Sequence, residues 1–241
     1  MGTVSCIVSA YYAEEFLAGR LQNLVEQSTQ PEIIVVCRRG SKEYSIASAW
    51  ENSKSLIRVI ETDDIPTIYA AWNLGIQAAT GDYITNQNSD DRLYPGALAK
   101  LVDALDKHAK KYNVVYSNAD IVETLGGPPA GRYEWMEGGI EELLHGCFLG
   151  PWPMWRKSLH EKYGYFDGEM RSAGDYEFWM RLAKAGEKFF HLREVTGAYL
   201  KRDNSAEHRH KLRSIWEQAR AKGRYREGVN ELWMKPEPMT G

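Results

Sequence analysis

The chain has 241 residues, a formal net charge of −3 and 43% hydrophobic content. That is enough to bury a sizeable core in one large domain, or one domain with a modest appendage, and too little for a multi-domain machine. The balanced charge excludes a globally basic face, so no nucleic-acid partner is expected.

Taken in chain order, short β-type runs alternate with amphipathic helical patterns. The run Val4–Ser9 reads as a strand. It is followed by a helix over Glu15–Gln27 with Leu17, Leu21, Leu24 and Val25 on one face, and a strand over Glu32–Cys37. The alternation continues with a helix at Lys42–Glu51, a strand at Leu56–Glu61, a helix at Thr67–Ala79 and a strand at Asp82–Thr85. A helix at Pro95–Lys110 and a strand at Asn113–Tyr116 close the first half. This order predicts an α/β fold with a mostly parallel central sheet covered on both faces.

The second half changes texture. Gly126-Gly127-Pro128-Pro129 opens a loop running to about Gly139, and Phe148 to Trp155 is rich in aromatic residues and proline. A helix at Asp175–Ala185, a strand at Lys188–Leu192, a charged helix around Ala206–Ala221 and a Pro-containing tail from Trp233 complete the pattern. Cys6, Cys37 and Cys147 are odd in number, and the first two lie inside apolar runs, so all three are read as reduced. The N-terminus shows no basic-then-apolar leader, and no apolar run approaches the ~18 residues that span a bilayer. A cytoplasmic protein without a transmembrane segment is expected, with a peripheral place at the inner membrane face left open.

Two acidic sites stand out. Asp90 and Asp91 follow the Asp82–Thr85 strand directly, where side chains point to a cleft. They suit a divalent cation arriving with an anionic ligand such as a sugar-nucleotide diphosphate, and they equally suit the cap of the helix that follows. Asp175, after Ser172-Ala173-Gly174, sits at the start of its helix, where it is either a cap or a general base that takes a proton from an attacking hydroxyl. Glu177 belongs to the same turn. Trp152 and Trp155, with Tyr133 and Trp135 before them, offer apolar faces for a sugar acceptor or for the core.

The sequence resembles the family 2 glycosyltransferases, inverting enzymes of the GT-A fold, over roughly residues 3–205. The resemblance rests on Val4–Tyr11, Ala71–Ile76 with Ala79–Ile84, Asn88-Ser89-Asp90-Asp91, and Ser172–Glu177, in that order. It implies a GT-A domain over 1–205, with a nucleotide-binding half 1–120 and an acceptor-side half 121–205, and a C-terminal helix and tail over 206–241. It implies a Mn²⁺ or Mg²⁺ ion at Asp91, with His208 or His210 as a further ligand, and Asp175 as catalytic base. Ser9, Tyr11, Arg38, Asn73 and Asp90 are placed on the nucleotide, and Trp152, Trp155 and Glu177 on the acceptor side.

The implied reaction moves a sugar, UDP-linked first of all, to a hydroxyl on a carbohydrate or lipid-linked acceptor in surface polysaccharide synthesis. A homodimer is left open. One departure is visible: where the family carries a base-binding acid after its second strand, this chain reads Val36-Cys37-Arg38-Arg39. The other readings are a non-catalytic nucleotide- or sugar-binding GT-A protein and a sugar nucleotidyltransferase. The latter lacks a Gly-rich phosphate loop after the first strand.

Overall fold

Strand β1 (Val4–Ala10) is almost wholly buried, because Val, Cys and Ile fill both of its faces. Such two-sided apolarity belongs at the centre of a parallel sheet. In the computed structural model, which describes residues 2–64, 66–202 and 211–225, β1 pairs in parallel with β2 (Glu32–Arg38) on one side and β4 (Tyr83–Asn86) on the other. β3 (Ile57–Thr62) extends the sheet in parallel beyond β2. The chain thus winds outward from β1 to β3, then jumps back across β1 to β4. Such a reversal opens a crevice at the carboxyl ends of the strands.

The connecting helices supply the outer layers. α1 (Glu14–Val25) buries Leu17, Arg20, Leu21 and Leu24 and shares one face of the sheet with α4 (Ala97–Lys107). α2 (Lys42–Glu51) packs beside α1, capped by the Ser41 hydroxyl, which accepts from the Tyr44 amide at 3.1 Å. α3 (Ile68–Ala78) covers the opposite face with Tyr69, Trp72 and Ile76. It comes so close to β1 that a Cβ on Gly75 would lie 2.5 Å from the Ile7 side chain.

Beyond β4 the order continues β8-β6-β9-β5. β8 (Met154–Arg156) lies antiparallel between β4 and β6 (Val114–Val122), and β9 (Phe189–Leu200) runs parallel to β6. β5 (Arg92–Leu93) pairs antiparallel with β9, and β7 (Gly131–Tyr133) pairs antiparallel with β6. The short helices α5 (Ile140–Leu143) and α6 (Ser158–Tyr163) precede α7 (Gly174–Lys184), which joins the α3 face, and α8 (Lys211–Tyr225) packs on α7. The predicted α/β sheet is present. The segment expected as a loop up to Gly139 contains β7, while the tail from Trp233 lies outside the described residues.

His160 gives this core a pH limit. It is 3% exposed, its Nε2 accepts from the Trp155 indole at 2.8 Å, and Nδ1 lies 3.1 Å from the Gly164 carbonyl, to which it donates. Burial therefore holds its pKa down to about 4, from 6.5. A depressed pKa means that the neutral ring's contribution is complete above pH 6.5 and is lost as pH falls toward 4, at most about 3 kcal/mol. NMR titration should show His160 neutral at pH 5.5; a ring that titrates near 6.5 would refute this burial effect.

Candidate active site

The carboxyl ends of β1, β2 and β4 bring Ser9, Tyr11, Arg38 and the loop 87–91 to one edge of the sheet. Tyr11 and Tyr12 are 46% and 76% exposed with ring centroids 4.4 Å apart, an open aromatic surface just past β1. A hydrogen bond with Tyr12, before any other cause, raises the Tyr11 pKa. Arg38 is exposed beside it, whereas Arg39 is engaged by Asp63 at 2.7 Å and Glu61 at 3.6 Å.

Asp91 is 1% exposed, deeper than a helix cap needs to be. Its Oδ1 accepts the Leu200 amide at 3.1 Å, and its Oδ2 accepts the Asn88 side-chain amide at 3.2 Å. Burial first, and the neighbouring Asp90 second, push its pKa up to about 7. Asp90 is paired with Arg202 at 3.0 Å, both side chains being 29% exposed, and the Arg202 guanidinium also lies 4.7 Å from the Phe16 ring. A half-exposed pair of this kind holds weakly and can be displaced.

Sequence reasoning passed over the support beneath this loop. Arg20 is wholly buried and donates to the Asp91 carbonyl at 3.0 Å, to Asn23 Oδ1 at 3.0 Å and to the Gln87 side chain. Burial lowers its pKa to about 10, while the charge of Asp91 acts the other way. The signal was present in the spacing, since Arg20 falls on the same helix stripe as Leu17, Leu21 and Leu24.

Across the crevice, Asp175 lies in the first turn of α7. Its Oδ1 accepts the Tyr69 hydroxyl at 2.9 Å and the Tyr176 amide at 2.8 Å. Burial and then the charge of Asp175 drive the Tyr69 pKa well up, so that phenol stays a donor. Gly174 makes this approach feasible, because a Cβ there would stand 2.7 Å from the Tyr69 ring. A cavity of about 530 Å³ joins Asp175 to Asn88, the residue that holds Asp91. This volume suits a small-molecule ligand.

The structure moves several expected residues away from this cavity. Trp152 is 2% exposed and donates to Thr196 Oγ1 at 2.8 Å, and Trp155 is fully buried against His160. Both are core. The aromatic wall instead includes Tyr133, Trp135, Tyr199 and Trp72, with Tyr133 and Trp135 stacked at 4.8 Å.

Glu177 is held at 2.6 Å by Arg181 one turn along α7 and at 2.6 Å by the Tyr225 hydroxyl of α8, and it does not line this cavity. Asn73 is likewise committed to structure: its amide donates to the Phe166 carbonyl at 2.9 Å and accepts the Phe166 N–H at 3.1 Å. His208 and His210 lie outside the described residues.

No group of three or more His, Cys, Asp or Glu side chains that could hold a metal occurs among the described residues. The donor set nevertheless fits a hard cation that keeps water and takes the rest of its shell from a diphosphate, for which one or two carboxylates suffice. Asp91 and Asp90 would hold it. Asp91, buried, with no paired cationic side chain at its carboxylate among the described residues and with a raised pKa, is suited to receive positive charge.

Known proteins share this architecture. The crystal structure of Staphylococcus aureus TarS 1-349 in complex with UDP-GlcNAc superposes with a TM-score of 0.74 at 19% identity, over 95% of this chain and 67% of that one. The mannosyltransferase PcManGT from Pyrobaculum calidifontis, in complex with GDP-Man and Mn²⁺, gives 0.68 at 16% identity, over 92% and 63%. Among curated relatives, the amylovoran biosynthesis glycosyltransferase AmsB of Erwinia amylovora is 25% identical over 210 residues, 81% of this chain and 68% of its own length. The chain spans 60–70% of the length of the first curated relatives it matches. Residues 5–172, well over half of the sequence, match the family model itself, and the chain belongs to glycosyl transferase family 2.

Proposed function

We propose that the chain is a metal-dependent inverting glycosyltransferase that moves a sugar from a nucleoside-diphosphate donor to an acceptor hydroxyl. The carrying observation is the single cavity that reaches from Asp175 to Asn88, and through Asn88 to Asp91. In-line displacement at an anomeric carbon needs a base on the acceptor side and charge stabilisation at the departing diphosphate. A bound cation supplies that charge stabilisation. Asp175, oriented by Tyr69, takes the acceptor proton; Ser9 and the exposed Tyr11 bind the nucleoside, and Arg38 the phosphate or base.

The aromatic wall at Tyr133 and Trp135 packs against a pyranose face. A UDP-sugar is the first donor to test, as TarS was solved with UDP-GlcNAc. The GDP-Man complex of PcManGT keeps GDP in the panel, because the acid expected after β2 is absent here. The AmsB likeness supports a carbohydrate or lipid-linked acceptor in polysaccharide synthesis.

Thermal melting with UDP, GDP, dTDP, CDP and ADP, each with and without Mn²⁺, should give one nucleotide a metal-dependent rise. A flat panel, or a rise with no need of metal, would count against this reading. The product of the matching sugar nucleotide should have inverted anomeric configuration by NMR.

A further inference from the structure

A carboxylate from the far end of the chain occupies the backbone immediately before Asp175. Glu217 on α8 is 3% exposed. It accepts the Arg171 amide at 2.9 and 3.1 Å, the Ser172 amide at 2.7 Å and the Ala173 amide at 3.0 Å. These N–H groups lead into the N-terminus of α7, whose unpaired amides attract negative charge. α8 also places Ser214 and Gln218 in the wall of the Asp175 cavity, with Gln218 donating to Ser214 at 3.1 Å.

We infer that Glu217 is a positioning residue for the base, and that its seat on residues 171–173 makes α8 an integral part of the acceptor site. This rests on the reading of Asp175 as the base. Two effects follow from the geometry. The segment 171–173 is fixed at three successive amides, so Asp175 meets Tyr69 at 2.9 Å without having to order its own approach. The second effect is electrostatic: a carboxylate in the first turn of a helix is stabilised as an anion and weakened as a base. Glu217 accepts the three amides just ahead of that turn and sets a negative charge against that stabilisation.

Among the described residues, the groups that share the surroundings of Asp175 include Tyr69 from α3, Cys147 ahead of β8, Arg171 and Glu217. Burial drives the Tyr69 phenol well up, so it is neutral near pH 7.

The test compares wild type with Glu217→Gln and Glu217→Asp in three measurements: UDP binding with Mn²⁺, hydrolysis or transfer from a panel of UDP-sugars across pH, and amide exchange at residues 171–173. Glu217→Gln should keep nucleotide affinity within about twofold, lower kcat at least about tenfold, and move the acid limb of the kcat profile to lower pH. Exchange at 171–173 should rise about tenfold or more while β1 and β4 stay protected, and Glu217→Asp should recover part of kcat. An unchanged kcat, or nucleotide affinity falling in step with kcat, would overturn the inference.

If wild type turns over no donor, the transferase reading fails by itself. The exchange measurement still decides on Glu217, because unchanged protection at 171–173 would show that its carboxylate does not hold this segment.

Discussion

Asp175→Asn should lower turnover by about 10²- to 10⁴-fold while leaving metal-dependent nucleotide binding intact. The argument is geometric. The Asn side chain keeps an Oδ1 that accepts the Tyr69 hydroxyl and the Tyr176 amide, which Asp175 now holds at 2.9 and 2.8 Å, so neither α7 nor the cavity wall has cause to move. What is lost is the capacity to take a proton. The thermal shift with nucleotide and Mn²⁺ should match wild type, and single-turnover transfer should collapse. Equal turnover in the variant would remove Asp175 from the chemistry; equal loss of nucleotide binding would make it a structural residue.

Asp91→Asn should have an opposite pair of effects: a more stable protein that no longer gains stability from nucleotide with metal. The folded-state pKa of Asp91 is raised from 3.8 to about 7, mainly by burial and then by Asp90. A raised pKa means that the native state favours the neutral acid. Stability tied to this group is complete below about pH 4 and lost as pH rises through 7, by at most about 4 kcal/mol.

The charge of Arg20 opposes this, but its guanidinium bonds the Asp91 carbonyl and the side chains of Gln87 and Asn23, not the Asp91 carboxylate. These bonds survive the substitution. A net gain of about 1–2 kcal/mol at pH 8 remains, or about 2–8 °C in Tm for a chain of this size. The difference should vanish near pH 4. Melting curves at pH 8 and pH 4.5, with and without Mn²⁺ and nucleotide, test both halves; a variant no more stable at pH 8 would show that Asp91 is comfortably charged.

Much of this was legible from patterning. α2 has the bounds that periodicity gives, Lys42–Glu51, because Ser41 caps it and the alternation of apolar and polar residues is regular. β6 and β9 are longer than their apolar cores suggest. The polar stretch Ser117 to Asp120 looks like a loop, yet in the sheet Ser117 bonds Thr196, and Asp120 takes the Tyr94 hydroxyl at 2.8 Å and Arg132 at 2.9 Å. Tertiary partners decide such strands, and local propensity does not contain them.

The acidic residues of the candidate site stand out in the sequence because strand ends and helix starts announce them. The aromatic residues do not. Trp152, between two prolines, and Trp155 lie in a run that reads as an exposed wall, but the sheet buries them, and the pairing of β7 with β6 brings Tyr133 to the cavity. Glu217 was masked by the charged composition of its helix, although its spacing from Ser214 and Ala221 marks a buried stripe.

The Leu200 amide that Asp91 accepts lies 109 residues further along the chain. At a synthesis rate of about 5–20 residues per second, the ribosome needs on the order of 5–20 s to travel from one to the other. During that interval β6 has no β9 beside it and the acidic loop lacks its last backbone donor. A nascent or prematurely terminated chain therefore presents an unfinished pocket, and the surroundings of Asp91 are complete only when β9 has been made.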